Sequence, residues 1–177
     1  MSRNQARVSV VVALTISSLC LAQGGQHRKH SGPATAKPNQ SHLMLTPDEL
    51  KWGPAPPSMP SGAQAAVVAG DPTKAGSAYT IRAKLPDGYK VPPHWHPVDE
   101  NVTVLEGTLA VGLGEKFDQS TGHDLTAGSY ARMQKGVRHF AWAKGDTVIQ
   151  VHGVGPFEIV YVNPADDPRK QAGRHKR

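Results

Sequence analysis

The chain has 177 residues, a formal net charge of +6 and one cysteine, Cys20. This length is typical of one domain, and a lone cysteine excludes a disulfide framework. The basic excess lies at the two ends, because residues 43–164 contain 10 Lys or Arg against 12 Asp or Glu. A slightly acidic central region without a basic stripe argues against nucleic acid as a partner.

Residues 1–22 have the layout of a secretory signal peptide. Arg3 and Arg7 precede an uncharged apolar run from Val8, and small residues follow near Ala22. The pattern predicts an exported protein, periplasmic or secreted, with no membrane contact after cleavage. The alternative is an uncleaved anchor, although the run is shorter than the roughly 20 apolar residues that a span needs. Cleavage would remove Cys20, so thiol chemistry is not expected.

Two further segments lack apolar periodicity. Residues 23–42 are predicted to be a disordered linker, and residues 165–177 a basic disordered tail. The folded domain is therefore predicted to span residues 43–164. No internal repeat occurs, so a single barrel or sandwich is expected.

Short alternating runs separated by turn residues fill this domain. Only residues 46–50 resemble a helix start, with Thr46 as N-cap and Pro47 in the first turn. The predicted strands are residues 77–85, 100–107, 108–114, 129–133, 137–143, 147–153 and 157–163. Turns are predicted at residues 86–88, 120–122, 135–136 and 144–146. Many short strands with almost no helix predict an all-β antiparallel barrel or sandwich.

The stretch "HWHPVDE" (94–100) carries the chemistry of a metal site. Along an extended strand His94 and His96 share one face, and Trp95 points to the other. The preceding Pro92–Pro93 pair should stiffen this segment and keep it from ordinary central pairing. Two imidazoles and the Glu100 carboxylate suit iron, manganese, nickel, copper or zinc. The alternative is a proline-rich surface loop without a metal.

Residues 88–107 resemble the first motif of the cupin superfamily, G(X)5HXH(X)3-4E(X)6G. Its five fixed positions are matched by Gly88, His94, His96, Glu100 and Gly107. The second cupin motif, G(X)5PXG(X)2H(X)3N, is matched at Gly128, Gly136 and His139, and it departs from the pattern at Gln134 and Ala143. These departures concern turn geometry and a supporting position, so they remove no ligand. The resemblance covers roughly residues 60–163.

The resemblance implies a single cupin-type jelly-roll β-barrel that holds one divalent transition metal. Carried over by position, the metal ligands would be His94, His96, Glu100 and His139. The alternative is a cupin barrel that holds no metal. The segment from residue 148 to residue 170 also resembles the end of small exported bacterial cupins, which indicates no particular substrate.

The runs 137–143 and 147–153 are interpreted as a hairpin around residues 144–145. His139 would then face Gln150, and His152 would pair with Val137, so all of them would point into the barrel. Gln150 is predicted to orient a ligand or water beside the metal. His152 is the candidate catalytic proton carrier, because imidazoles titrate near neutral pH. The alternatives are a core histidine at this position, or an odd-length loop that would reverse the faces.

Two functional classes follow. The first is a metal-dependent enzyme acting on a small organic molecule, either a dioxygenase-like oxidoreductase or an isomerase or lyase. The second is a non-catalytic small-ligand or metal-binding protein outside the cytoplasm. An acid or base aimed at the open metal position would favour the enzyme, and a purely apolar cavity would favour the binding protein. Exposed sheet edges would permit a homodimer.

Overall fold

A computed structural model describes residues 42–171 of the chain. The predicted signal peptide (1–22), residues 23–41 of the predicted linker (23–42) and residues 172–177 of the predicted tail (165–177) lie outside the described residues. They remain predictions. The prediction of disorder is wrong for the first part of the tail, because it contains the end of a 3-10 turn (Pro164–Asp166) and a short helix (Pro168–Gln171). Among residues 42–171, no helix has the length and apolar character needed to cross a membrane.

Nine β-strands form the described domain. They are β1 (Gly53–Pro54), β2 (Gln64–Gly70), β3 (Ala78–Leu85), β4 (Lys90–Trp95), β5 (Glu100–Leu113), β6 (His123–Thr126), β7 (Tyr130–Met133), β8 (His139–Val154) and β9 (Val160–Tyr161). The other elements of residues 42–171 are short: three 3-10 turns, Pro47–Glu49, Gln119–Thr121 and Pro164–Asp166, and one helix, Pro168–Gln171. Every strand pair is antiparallel. The predicted all-β antiparallel fold is therefore confirmed.

The sheet curls around one interior as a jelly roll. Its strand order is β1-β2-β3-β8-β4-β9, and β5 pairs with β6, β7 and β8. The long strands β5 and β8 pair along most of their length and join the two halves of the sheet. Val104, Leu109 and Val151 are among the buried residues that fill the space between the halves.

The predicted hairpin across residues 137–153 is wrong. β8 is one strand of 16 residues, and residues 144–146 lie within it. Likewise, the predicted strands 100–107 and 108–114 are one strand of 14 residues, β5. The chain therefore bends at these places without reversing.

Two glycines in paired strands explain the bend. Gly107 of β5 has φ +73° and Gly145 of β8 has φ +74°, a left-handed conformation that glycine adopts without a Cβ clash. The β5–β8 register shifts beside Gly107, as at a β-bulge. Thr147 closes the gap, because its hydroxyl donates to the Thr108 carbonyl at 3.1 Å and accepts from the Thr108 N–H at 3.2 Å. A bulge of this kind bends the strands and keeps them paired.

Other sequence-based predictions had mixed outcomes. Thr46 does begin a capped turn, since its backbone N–H donates to the Glu49 carboxylate at 2.7 Å, although the turn is 3-10. Strands β1, β2 and β6 were missed. The Pro92–Pro93 pair interrupts the pairing of β4 with β8 between Val91 and His94, yet β4 still lies between β8 and β9. The prolines therefore disturb the pairing of β4 as expected, but they do not remove β4 from the interior of the sheet.

Candidate metal centre

Three strand ends bring four polar side chains together inside the barrel. His94 lies on β4 and His96 just after it, Glu100 is the first residue of β5, and His139 is the first residue of β8. Their relative exposures are only 4%, 2%, 8% and 3%, respectively. All four line one cavity. The structure thus brings together the four residues that the sequence analysis had named.

Each of the three histidines is oriented by a backbone carbonyl. The distances from Nδ1 to the carbonyl oxygen are 2.7 Å for His94 to Pro92, 2.6 Å for His96 to Glu158 and 3.0 Å for His139 to Val137. Because a carbonyl can only accept, Nδ1 of each ring carries the proton and donates it. In the neutral ring Nε2 then bears a free lone pair, which is the arrangement a metal-binding histidine needs.

The remaining donor atoms converge. The ligand atoms of His94, His96 and His139 lie within 4.8 Å of one another. Glu100 Oε2 is 3.4 Å from Nε2 of His96 and 3.4 Å from Nε2 of His139. Charge-assisted hydrogen bonds are shorter, about 2.7–2.9 Å. Two ligands at about 2.1 Å from a tetrahedral metal would stand about 3.4 Å apart, so the spacing fits a shared ion.

One atom of this group supports the same interpretation independently. His96 Nε2 is buried and has no hydrogen-bond partner within residues 42–171. A buried polar atom without a partner costs free energy, so native proteins rarely retain one without a reason. The three buried histidines could hold a metal ion, and such an ion would satisfy this atom.

The charges of the site are set by burial and by mutual proximity. Burial, followed by the neighbouring His139 and His96, lowers the pKa of His94 to about 3. Burial acts to raise the pKa of Glu100, but His96 and His139 outweigh it and hold that pKa below its usual value. Burial likewise opposes the charged form of His96, but the Glu100 carboxylate raises the pKa of His96 above 6.5. At neutral pH His94 is therefore neutral and Glu100 anionic, as metal binding requires.

The cavity beside the four residues has a volume of about 80 Å³. The other lining residues are all apolar: Met59, Ile81, Ala83, Leu85, Val91, Val102, Leu109, Val111, Ala131, Met133, Ala141, Ile149, Val151, Phe157 and Ile159. Among the lining residues, no acid or base accompanies the three histidines and Glu100. The polar group thus lies at one side of a small apolar chamber.

The predicted positions of Gln150 and His152 are wrong. In the continuous strand β8, Ile149 and Val151 line the cavity, so Gln150 and His152 alternate to the outer face. Gln150 accepts a hydrogen bond from Nε of Arg82 at 3.1 Å on that face. Neither side chain can therefore reach the four residues. The error arose from the assumed hairpin, which placed His139 and Gln150 opposite each other.

Sequence reasoning missed two aromatic neighbours of the site. The ring of Phe157 stacks on His96 with centroids 4.7 Å apart, and Tyr79 packs on Phe157 at 5.5 Å. Phe157 lies in the predicted strand 157–163, of which only Val160–Tyr161 is a strand. No periodicity could have found these contacts, because they join residues far apart in the chain.

The comparison with protein families gives one match. A model of the cupin domain matches residues 81–162, which include all four residues of the site. The search of curated proteins by sequence found no match.

Solved structures similar to this chain are also cupin-like. The polyketide cyclase RemF from Streptomyces resistomycificus is similar at 16% identity over 75% of this chain and 93% of its own, with a TM-score of 0.55. KdgF from Halomonas sp. is similar at 20% identity over 65% and 96%, with a TM-score of 0.49. An RmlC-like cupin from Shewanella frigidimarina is similar at 14% identity over 63% and 87%, with a TM-score of 0.48.

The fold of the domain and the family match both indicate a cupin-type barrel. The likeness to RemF concerns the barrel as a whole, and the family match covers β4 to β9, the part that carries the histidines and Glu100. The predicted jelly-roll class is confirmed by both. Residues 81–162 thus form a cupin domain.

Proposed function

We propose that this cupin holds one divalent transition metal on His94, His96, Glu100 and His139 and acts on a small organic molecule. The observation that carries the proposal is the orientation of the three rings. Each Nδ1 donates to a backbone carbonyl, so three Nε2 atoms and one carboxylate face a common point before any ion arrives. Such preorganisation lowers the cost of binding an ion.

The donor set restricts the metal to a few elements. Three imidazole nitrogens and one carboxylate oxygen suit iron, manganese, nickel, copper or zinc better than magnesium or calcium, which prefer oxygen ligands. When bound, such an ion supplies Lewis acidity and open positions for an oxygen atom of a substrate or for dioxygen. A dioxygenase-like reaction is the first choice, and an isomerase or lyase reaction is the second.

The side chains around the site would select a small apolar substrate. Val102, Val151 and Phe157 present only carbon atoms to the chamber, so they bind apolar groups and exclude water. A volume of about 80 Å³ leaves room for only a small molecule. Glu100 is the one carboxylate that lines the chamber, and its lowered pKa suits an anionic metal ligand better than a proton carrier.

A non-catalytic binding protein is the second candidate, and the apolar lining favours it. No acid or base other than the three histidines and Glu100 faces the chamber among its lining residues. A protein that only captures a metal or a small ligand would need no more than this. Catalysis therefore depends on whether the ion itself activates the substrate.

Turnover assays on the full chain distinguish the two candidates. Protein loaded with Fe²⁺, Mn²⁺, Ni²⁺, Cu²⁺ or Zn²⁺ would be tested against small diols and diketones for oxygen uptake and for isomeric or cleaved products. We expect turnover with at least one combination of metal and substrate. This turnover should be lost in His96→Ala and retained in His152→Ala, the control on the outer face. Metal binding without turnover across the panel would favour the binding protein. Equal turnover in His96→Ala would overturn the proposed site.

Export is a separate proposal, and it rests on residues 1–22 alone. Mass spectrometry of the protein from its native host should show an N-terminus near Gln23. An intact Met1 on cytoplasmic protein would contradict it.

Homodimer formation is likewise a proposal, which light scattering of the purified protein tests.

A further inference from the structure

The hydroxyl of Tyr79 is buried without a partner. Tyr79 is only 3% exposed, and its hydroxyl has no hydrogen-bond partner within residues 42–171. The buried hydroxyls of Tyr89 and Tyr161, by contrast, donate to the backbone carbonyls of Pro60 and Ser58. A phenylalanine would fill the same space, so packing alone does not explain the hydroxyl of Tyr79.

Strand register places this hydroxyl beside the metal centre. Tyr79 of β3 pairs with Gly153 of β8. On the other side of β8, His152 pairs with Asn101, which puts Glu100 at the level of Gly153. Tyr79, Gly153 and Glu100 therefore form one row across three adjacent strands.

The glycine in the middle of that row lets the Tyr79 hydroxyl and the Asp99 carbonyl come close to the β8 backbone, and it leaves no room for a side chain. A Cβ atom on Gly153 would lie 3.1 Å from the Tyr79 hydroxyl and 3.0 Å from the Asp99 carbonyl oxygen. The hydroxyl thus lies above Gly153 and close to the peptide that leads into Glu100. Any larger residue at position 153 would push the Tyr79 hydroxyl away from the peptide between Asp99 and Glu100.

Aromatic packing and charge link Tyr79 to the site as well. Its ring packs on Phe157, which in turn stacks on His96. Burial, and to a smaller extent the Glu100 carboxylate, raise the pKa of Tyr79 above its usual value. The hydroxyl therefore keeps its proton and is a hydrogen-bond donor at every working pH.

We propose that Tyr79 is a positioning residue of the metal centre, whose hydroxyl donates to a water molecule that donates in turn to the Glu100 carboxylate. Such a water would have three polar neighbours, the Tyr79 hydroxyl, the Asp99 carbonyl and Glu100, which is the usual number for a buried water. The bridge fixes the orientation of the carboxylate toward the three histidines. The inference rests on the proposed function, because it assumes that Glu100 serves a metal ion.

The test compares two tyrosines that each lose only a hydroxyl. Co²⁺ binding to the full chain is measured by competition with a chelator, and the bound ion is followed by its visible absorption spectrum. Tyr79→Phe should weaken Co²⁺ binding about tenfold, the lower end of the usual effect of removing an outer partner, and should alter the spectrum. Tyr89→Phe removes a satisfied hydroxyl and should change neither. A merely structural role of Tyr79 would not move the spectrum.

The possible failures are distinguishable. If Tyr79→Phe binds Co²⁺ with the affinity and spectrum of the wild type, the positioning role is wrong and the metal centre stands. If the wild type itself does not bind Co²⁺, the proposed function is wrong. Should Tyr79→Phe not fold, Gly153→Ala provides the second variant, because its methyl group would press against the Tyr79 hydroxyl and the Asp99 carbonyl oxygen and push the hydroxyl away. Unchanged Co²⁺ binding and an unchanged spectrum in that variant would overturn the inference.

Discussion

The two faces of strand β8 carry polar groups of opposite character. On the inner face His139 donates Nδ1–H to a carbonyl and turns Nε2 toward Glu100 and the other histidines. On the outer face Gln150 accepts from Arg82. The outer pair is a closed hydrogen bond within the protein, whereas the inner group brings three ring nitrogens to one carboxylate and leaves His96 Nε2 without a hydrogen-bond partner. A buried group of this kind can accommodate an ion, and the outer pair needs none.

Removing one inner histidine should have the largest effect on metal binding. His96→Ala should weaken Co²⁺ binding by more than about 100-fold, since losing a ligand costs more than losing an outer partner. The barrel has its own apolar core, so the circular dichroism spectrum should remain that of a β protein. Competition titration measures the affinity, and retention of wild-type affinity would refute the inner-face assignment.

Glu100→Gln tests the charge of the inner group at nearly constant shape. Removing the carboxylate should weaken Co²⁺ binding by about 10- to 100-fold, because the only negative charge of the site is lost. The same change should lower the pKa of His96, which the carboxylate of Glu100 holds above 6.5 against the effect of burial. NMR titration of the metal-free variant measures that pKa. An unchanged value would show that Glu100 does not act on His96.

Acidification should weaken metal binding through His96. The pKa of His96 in the metal-free protein is raised, so a proton competes with the ion for Nε2 once the pH falls below that pKa. The Co²⁺ affinity should then fall by up to about tenfold per pH unit, starting above the usual histidine value of 6.5. His94, with its pKa lowered to about 3, should not contribute until far lower pH. A pH-independent affinity between about pH 5 and 8 would contradict this account.

The smallest effect is expected on the outer face. Gln150→Ala removes the acceptor of Arg82 and should reduce the free energy of unfolding by about 1 kcal/mol, as for a partly exposed hydrogen bond. Co²⁺ affinity should stay within about twofold of the wild type, because the side chain points away from the cavity. Urea unfolding and Co²⁺ titration of the same sample provide both values. A tenfold loss of affinity would show that the two faces are coupled.

The sequence alone was sufficient to predict the four site residues and most of the strands. Alternation predicts that His94 and His96 share one face, and the spacing of the cupin motifs identifies Glu100 and His139. The apolar runs predicted most strands, because period-two patterning reflects burial of one sheet face.

The sequence-based prediction failed at Gly145, because glycine is common both in hairpin turns and in β-bulges. Residues 144–146, "KGD", have the composition of a hairpin turn, but Gly145 forms a bulge in a continuous strand. Turn and bulge both use a left-handed glycine, and only the partner strand β5, which pairs with both halves of β8, decides between them. The misplacement of Gln150 and His152 followed directly from this ambiguity. Contacts such as Phe157 on His96 depend on tertiary packing and leave no local pattern.

The most direct test of the metal centre is the metal content of untagged protein. Elemental analysis would compare the wild type with the double variant His94→Ala, His96→Ala, purified side by side after exposure to equal concentrations of transition metals. The account predicts about one metal ion per chain in the wild type and almost none in the double variant, with both showing β-rich circular dichroism. Equal metal content in the two proteins would contradict the assignment of this site.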